Sequence, residues 1–210
     1  MNRLRKVLIQ RSNYALRNGN RVPVNDYLVI DLALATGLRV SEIAGLRCGD
    51  IWADDGKASL VVRNGKYGKQ RIVRFNQDFK EHLKEYLEWK KKNGEDCGPE
   101  SPLIRSSNTM GKTAVSPADR GKMTTRALQK AFERSAKRAG IQARPNGSVR
   151  RGYSIHSLRH TYATFLLRAS GNLRLVQKQL GHSSITITEV YADVINYDLD
   201  KALARLYNPR

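Results

Sequence analysis

With 210 residues, 40% of them hydrophobic and 27% charged, the chain has room for one well-buried domain, and no apolar run approaches the roughly 18 residues of a membrane span. Its N-terminus, MNRLRKVLIQRSNYALRNGN, is charged throughout and lacks the apolar centre of a secretory signal, so a cytoplasmic protein is expected. Lys and Arg number 38 against 19 acids, a formal net charge of +19 that favours a polyanionic partner; Cys48 and Cys97 sit in no disulfide or zinc spacing, and no acidic cluster suggests a metal.

Residues 3 to 17 carry Leu4, Val7, Leu8, Tyr14 and Leu16 in a pattern compatible with a basic helix, ended by Gly19-Asn20. A second helix is expected from Pro23 to Thr36, entered through Pro23 and buried along much of its surface by Leu28, Val29, Leu32, Ala33 and Leu34. Gly37 stops it. Leu38-Arg39-Val40 leads to Ser41, a suitable N-cap for a short helix with Glu42 early in it, where a carboxylate favours the positive helix end. Arg39 then projects from a helix junction, with Glu42 and Asp50 read as caps that could also touch Arg39 or a histidine.

Ala58 to Arg63 and Arg71 to Phe75 are β-branched segments joined by Asn64 to Gln70, the pattern of a β-hairpin with a glycine-punctuated tip. From that tip Lys66 or Lys69 can reach outward. Phe79, Leu83, Tyr86 and Leu87 predict a helix over Gln77 to Lys92, with Asn93-Gly94 after it. Glu95 to Lys122, rich in Gly, Pro, Ser and Asn with one short apolar element at Leu103-Ile104, reads as a long mobile loop region. A helix over Thr124 to Ala139 follows, capped by Thr124 or Thr125, with Leu128, Ala131, Phe132 and Ala136 inward and Gly140 at its end. Arg144 to Ser154 is a basic turn region that includes Arg150 and Arg151. Next come a helix from His156 to Ala169, a restart at Gly171-Asn172, a short helix through Leu180 and a final helical region around Tyr191. In the tail, Ile195, Leu199, Leu203 and Leu206 give Val194 to Tyr207 an apolar face suited to docking on its own body or on a neighbouring subunit.

The stretch from Ser154 to Asp193 concentrates the reactive groups. A helix places His156, Arg159 and His160 on one face, while His182 follows Leu180-Gly181 and Tyr191 stands nine residues beyond it. Imidazoles, a guanidinium and a phenol are the groups needed to bind a phosphodiester, move a proton and attack phosphorus. The positive field lies in the same places. Arg134 to Thr188 holds ten Lys or Arg and no acid, and Arg63 to Phe75 holds five more. Each group has an ordinary alternative: His156 and Arg159 as a surface pair, His182 as a helix end, Tyr191 as a core aromatic, and His160 packed inside or supporting the helix junction. Their company favours chemistry on a nucleic acid backbone.

Three motifs in order, TGLRVSEIAGL around Arg39, GKYGKQRIV around Lys66, and HSLRHTYAT with LGHSSITITEVY, resemble the catalytic domain of the tyrosine recombinases, the phage integrase family. The resemblance runs from about Pro23 to Asp193. It implies a mainly helical α+β domain with one small antiparallel sheet. It implies that Arg39 and Arg159 clamp the scissile phosphate, that His156 accepts the proton of Tyr191, and that His182 hydrogen-bonds the same phosphate. Tyr191 is then the nucleophile of a 3′-phosphotyrosyl link, and Lys66, in preference to Lys69, protonates the departing 5′ oxygen. Lys69, Arg71, Arg150 and Arg151 are candidate contacts to double-stranded DNA. No metal or cofactor is implied, since the phosphotyrosine conserves the bond energy. The expected assembly is a homotetramer on DNA, with a monomer in free solution allowed.

The implied division is a basic extension over 1–22, a catalytic domain over 23–193 and a C-terminal helix over 194–210. Family members usually carry a further N-terminal DNA-clamping domain, so the expectation is either a single-domain recombinase, like the fimbrial-switch invertases, or a piece of a longer chain. The insertion from Arg105 to Lys122 has no assigned role. Two competing readings are a type IB topoisomerase, which relaxes one duplex, and a DNA-binding regulator that keeps the fold without catalysis.

Overall fold

Helix α2 (Arg21–Thr36) is the element against which most others pack in the computed structural model, which describes residues 2–53, 58–63, 70–106, 121–142 and 152–182. Leu28, Val29, Ile30 and Leu32 are wholly buried in succession, so α2 is covered on more than one side. Its neighbours are α1 (Asn2–Arg17), α4 (Gln77–Lys92), α5 (Thr125–Arg138), α6 (Ile155–Ser170) and the short α3 (Val40–Gly45). The helix begins before Pro23: the Asn20 side chain accepts from the Val22 N–H at 3.2 Å. Pro23 is tolerated because the first turn's N–H groups have no intrahelical acceptor.

Polar residues buried along α2 are all partnered. Asp31 takes Arg5 from α1 and His82 from α4, the latter through Nδ1 at 2.8 Å. Asp26 accepts from Arg134 of α5, and Asn25 accepts from the Tyr86 hydroxyl at 3.0 Å while donating to the Arg105 carbonyl at 2.7 Å. These pairs fix the direction in which each neighbour crosses α2, which apolar packing alone does not.

The sheet is a three-stranded antiparallel meander, β1 (Ile51–Trp52), β2 (Ser59–Val62) and β3 (Arg71–Arg74), in the order β1-β2-β3. Leu60 pairs with Val73 and both are buried, while Ile72 and Trp52 lie exposed. The hairpin is as expected; β1 is additional, and at two residues it is too short to show a period. Lys66 and Lys69 of the hairpin tip lie outside the described residues.

The loop expected from Glu95 to Lys122 divides differently. Its first part is fastened: the Cys48 N–H donates to the Ser101 carbonyl at 2.9 Å, the Leu103 N–H to the Leu46 carbonyl at 2.9 Å, and Leu103 and Ile104 enter the core. The buried Lys90 ammonium donates to the carbonyls of Pro102 and Leu103 at 2.9 and 3.0 Å, which satisfies backbone that would otherwise need water. An antiparallel bridge joins Arg105 to Lys122, and the Ser106 N–H reaches the Gly121 carbonyl at 2.7 Å, closing the base of the insertion.

Helices α6 and α7 (Leu173–Leu180) share a second small core of Ala163, Leu167, Val176 and Leu180. Residues 143–151, with Arg150 and Arg151, and residues 183–210, with Tyr191 and the apolar tail, lie outside the described residues. Both cysteines are free, and burial pushes the Cys48 thiol up to about 11. Among the described residues no helix is long and apolar enough to cross a membrane.

Candidate active site

The α2–α3 junction positions the first arginine. Gly37 ends α2 in the left-handed region (φ 65°), and Arg39 is the N-cap of α3. Ser41, expected as the cap, is instead inside the helix. The cap is set by Glu42, whose Oε2 accepts the Arg39 N–H at 2.8 Å, a reach that requires the carboxylate three residues along. Its Oε1 takes Arg39 Nη1 at 3.0 Å.

Glu42 is the hub of the site. Besides Arg39 it receives Arg71 of β3 in a two-pronged contact, Nη1 to Oε1 at 2.8 Å and Nη2 to Oε2 at 2.9 Å. Arg159 Nη1 lies 3.9 Å from Oε2. Burial alone would raise this carboxyl, but the Arg71 fork and the Arg39 N–H outweigh it and hold Glu42 below the ordinary carboxylate value. Arg39, Arg71 and Arg159 against the single Glu42 leave an excess of two positive charges. That excess creates an anion-binding field in a partly desolvated bay.

Arg159 enters from the second turn of α6 and is 3% exposed. Its Nη1 donates to the Gly37 carbonyl at 2.6 Å, and its Nη2 donates to the Leu180 carbonyl at 2.8 Å. One guanidinium therefore satisfies the exposed carbonyl ends of α2 and α7 at once. Gly37 permits this packing: a Cβ there would stand 2.3 Å from the Tyr162 ring and 2.8 Å from Leu180.

The two candidate histidines lie close enough to Arg159 and Arg39 to feel both charges. His182 follows Gly181, the left-handed C-cap of α7, and its Nε2 lies 3.0 Å from Arg159 Nη2. Burial, then the charges of Arg159, Arg39 and Arg71, push its pKa down to about 4. His156, in the first turn of α6, meets His160 edge to face with ring centroids 4.9 Å apart. Burial, His160, Arg159 and Arg39 lower its pKa. His160, expected to pack inside or to support the helix junction, is exposed and stands edge to face with His156.

The structure thus brings together Arg39, His156, Arg159 and His182, four residues from three separate stretches of the sequence. Lys66, Lys69, Arg150, Arg151 and Tyr191 lie outside the described residues. Arg71, expected among the DNA contacts, has its guanidinium turned inward to Glu42 and the Gln179 carbonyl. Among the described residues no group of three or more His, Cys, Asp or Glu could hold a metal ion.

Comparison with known proteins gives this arrangement a context. The profile of the phage integrase family matches residues 2–196. The tyrosine recombinase XerC of Neisseria gonorrhoeae (strain ATCC 700825 / FA 1090) is 35% identical over 190 residues, 90% of this chain and 52% of that protein. The chain therefore spans about half the length of the curated relatives it matches. Among solved structures, a XerA recombinase superposes with a TM-score of 0.66 at 23% identity, covering 99% of this chain and 64% of that one. A XerH site-specific recombinase bound to a palindromic difH substrate, a post-cleavage complex, gives 0.64 at 23% identity, covering 98% and 52%. Those likenesses establish the fold.

Proposed function

The chain belongs to the phage integrase family, and from that footing we propose that it cuts and rejoins double-stranded DNA as a site-specific tyrosine recombinase. The observation that carries the proposal is the convergence of Arg39 and Arg159 on opposite oxygens of Glu42, with two histidines of lowered pKa beside them. Guanidinium forks stay ionised at every relevant pH and hold two oxygens of one phosphate. As phosphorus becomes pentacoordinate its oxygens gain charge, and pre-oriented cations stabilise that state more than the ground state.

Tyr191 is the nucleophile in this reading. An unassisted phenol titrates near pH 10, so a base is required. His156 suits the role because its lowered pKa keeps the imidazole neutral and able to take a proton. The phenolic oxygen bonds to phosphorus, its proton passes to His156, and the 5′ oxygen leaves with a proton from Lys66. The reverse sequence, with a new 5′ hydroxyl, restores the diester and frees the tyrosine. His182 contributes a hydrogen bond to the phosphate. Lys69, Arg150 and Arg151 contact the DNA backbone, and catalysis needs no metal or cofactor.

The catalytic unit is residues 23–193, with 1–22 as a basic extension and 194–210 as a docking helix. Exchange between two duplexes uses four nucleophiles, so the assembly on DNA is a homotetramer. Nothing favours relaxation of a single duplex, since the relatives are named recombinases. The test is incubation with nicked duplexes drawn from flanking DNA. The wild-type chain should give a covalent protein–DNA species that Tyr191→Phe does not, whereas a non-catalytic DNA-binding protein would bind without forming it.

A further inference from the structure

Arg71 opens β3, yet it reaches three other parts of the site. Its fork closes on both oxygens of Glu42 at 2.8 and 2.9 Å, and its Nε donates to the Gln179 carbonyl in the last turn of α7 at 3.3 Å. The side chain is only 14% exposed. It also lies across Gly181, where a Cβ would stand 2.8 Å from its Cδ and Nε. Gly181 directly precedes His182.

Gln179 makes a second clasp on the same strand. Its Nε2 donates to the Arg74 carbonyl at 2.9 Å, and its Oε1 accepts the Arg74 N–H at 3.2 Å, in the manner of a neighbouring strand. The same Nε2 is 3.0 Å from the Tyr162 hydroxyl on α6. The last turn of α7 is thereby fixed to β3 at both ends of that strand.

We propose that Arg71 is a positioning residue: through Glu42 and the Gln179 carbonyl it locks β3, the Arg39 junction and the Gly181–His182 turn into one rigid unit. The inference rests on the recombinase reading for its catalytic consequence, though not for its structural one. A guanidinium committed in this way is not a DNA contact. Its fixed fork spans both carboxylate oxygens and a carbonyl together, which a lysine ammonium does not reproduce. Its charge also belongs to the field around His182, with Arg159, Arg39 and His160.

The test uses Arg71→Ala and Arg71→Lys in the full chain, checked for folding by thermal melts. At saturating DNA, single-turnover formation of the covalent species should slow by about 100-fold in Arg71→Ala, the scale that misplacement by an ångström costs. Arg71→Lys should also be slow, since charge alone does not restore the fork. If Arg71→Ala fails to fold, Arg71→Lys carries the test. Independently of DNA, the His182 pKa read by NMR should rise in Arg71→Ala. Wild-type cleavage by Arg71→Lys, or an Arg71→Ala defect confined to affinity with a salt slope reduced by about one, would overturn the proposal. So would an unchanged His182 titration. A wild-type chain that forms no covalent species would sink the recombinase reading but leave the titration to decide the clasp.

Discussion

Nη2 of Arg159 lies 3.0 Å from Nε2 of His182, and because a guanidinium can only donate, that ring nitrogen accepts. The proton of neutral His182 is therefore on Nδ1, and protonating Nε2 would set two donors against each other.

It follows that His182 stays neutral down to about pH 4, against an ordinary value of 6.5. Between those values the unfolded chain binds a proton that the folded chain excludes, so stability falls as pH drops through this window and is unaffected above it. His156, shifted the same way, adds to the effect. NMR titration of the two rings, with melting temperatures of wild type and His182→Gln between pH 4 and 7, checks both statements; the variant should show the shallower decline.

Cleavage should carry its own pH signature. If His156 takes the phenolic proton, the acid limb of the single-turnover rate lies below the ordinary histidine value of 6.5, where an imidazole of lowered pKa charges. His156→Ala should be slower throughout and lack that limb, as read by quenched-flow or gel assays across pH.

Gly37→Ala should destabilise the fold by at least about 2 kcal/mol, because an added Cβ meets strain at positive φ and the Tyr162 ring together. It should also disturb Arg159, whose Nη1 depends on the Gly37 carbonyl. Denaturant unfolding and DNA cleavage measured on the same preparation test the two effects.

Asp31→Asn should loosen α1 rather than the active site. It removes the charge shared by Arg5 and His82, and a cost of about 1–3 kcal/mol is expected for hydrogen bonds to a buried charged group. Hydrogen exchange should quicken in residues 2–17 while the covalent reaction persists.

Much of this was legible in the chain itself, for stated reasons. Helix α4 has the expected limits because apolar spacing and the Asn93-Gly94 stop agree, and in the structure the Asn76 side chain caps it by accepting the Phe79 N–H. Arg39, His156, Arg159 and His182 could be named together because their motifs are local, although their meeting point is not. One miss is local: Arg39 rather than Ser41 is the N-cap of α3, although Glu42 does act as a cap and does touch Arg39, as read from the sequence. What else escaped depended on partners distant in sequence. Residues 95–106 are polar and turn-rich, but Lys90 and Leu46 supply the bonds that hold them. Arg71 reads as one more basic residue in a basic hairpin until Glu42 is placed beneath it.

The central claim is a covalent bond between DNA and one phenol. Peptide mapping by mass spectrometry of the protein trapped on a nicked duplex tests it most directly. A nucleotide adduct is expected on the peptide bearing Tyr191, lost in Tyr191→Phe and in Arg159→Ala. An adduct on another residue, or an adduct that persists in Tyr191→Phe, would contradict it.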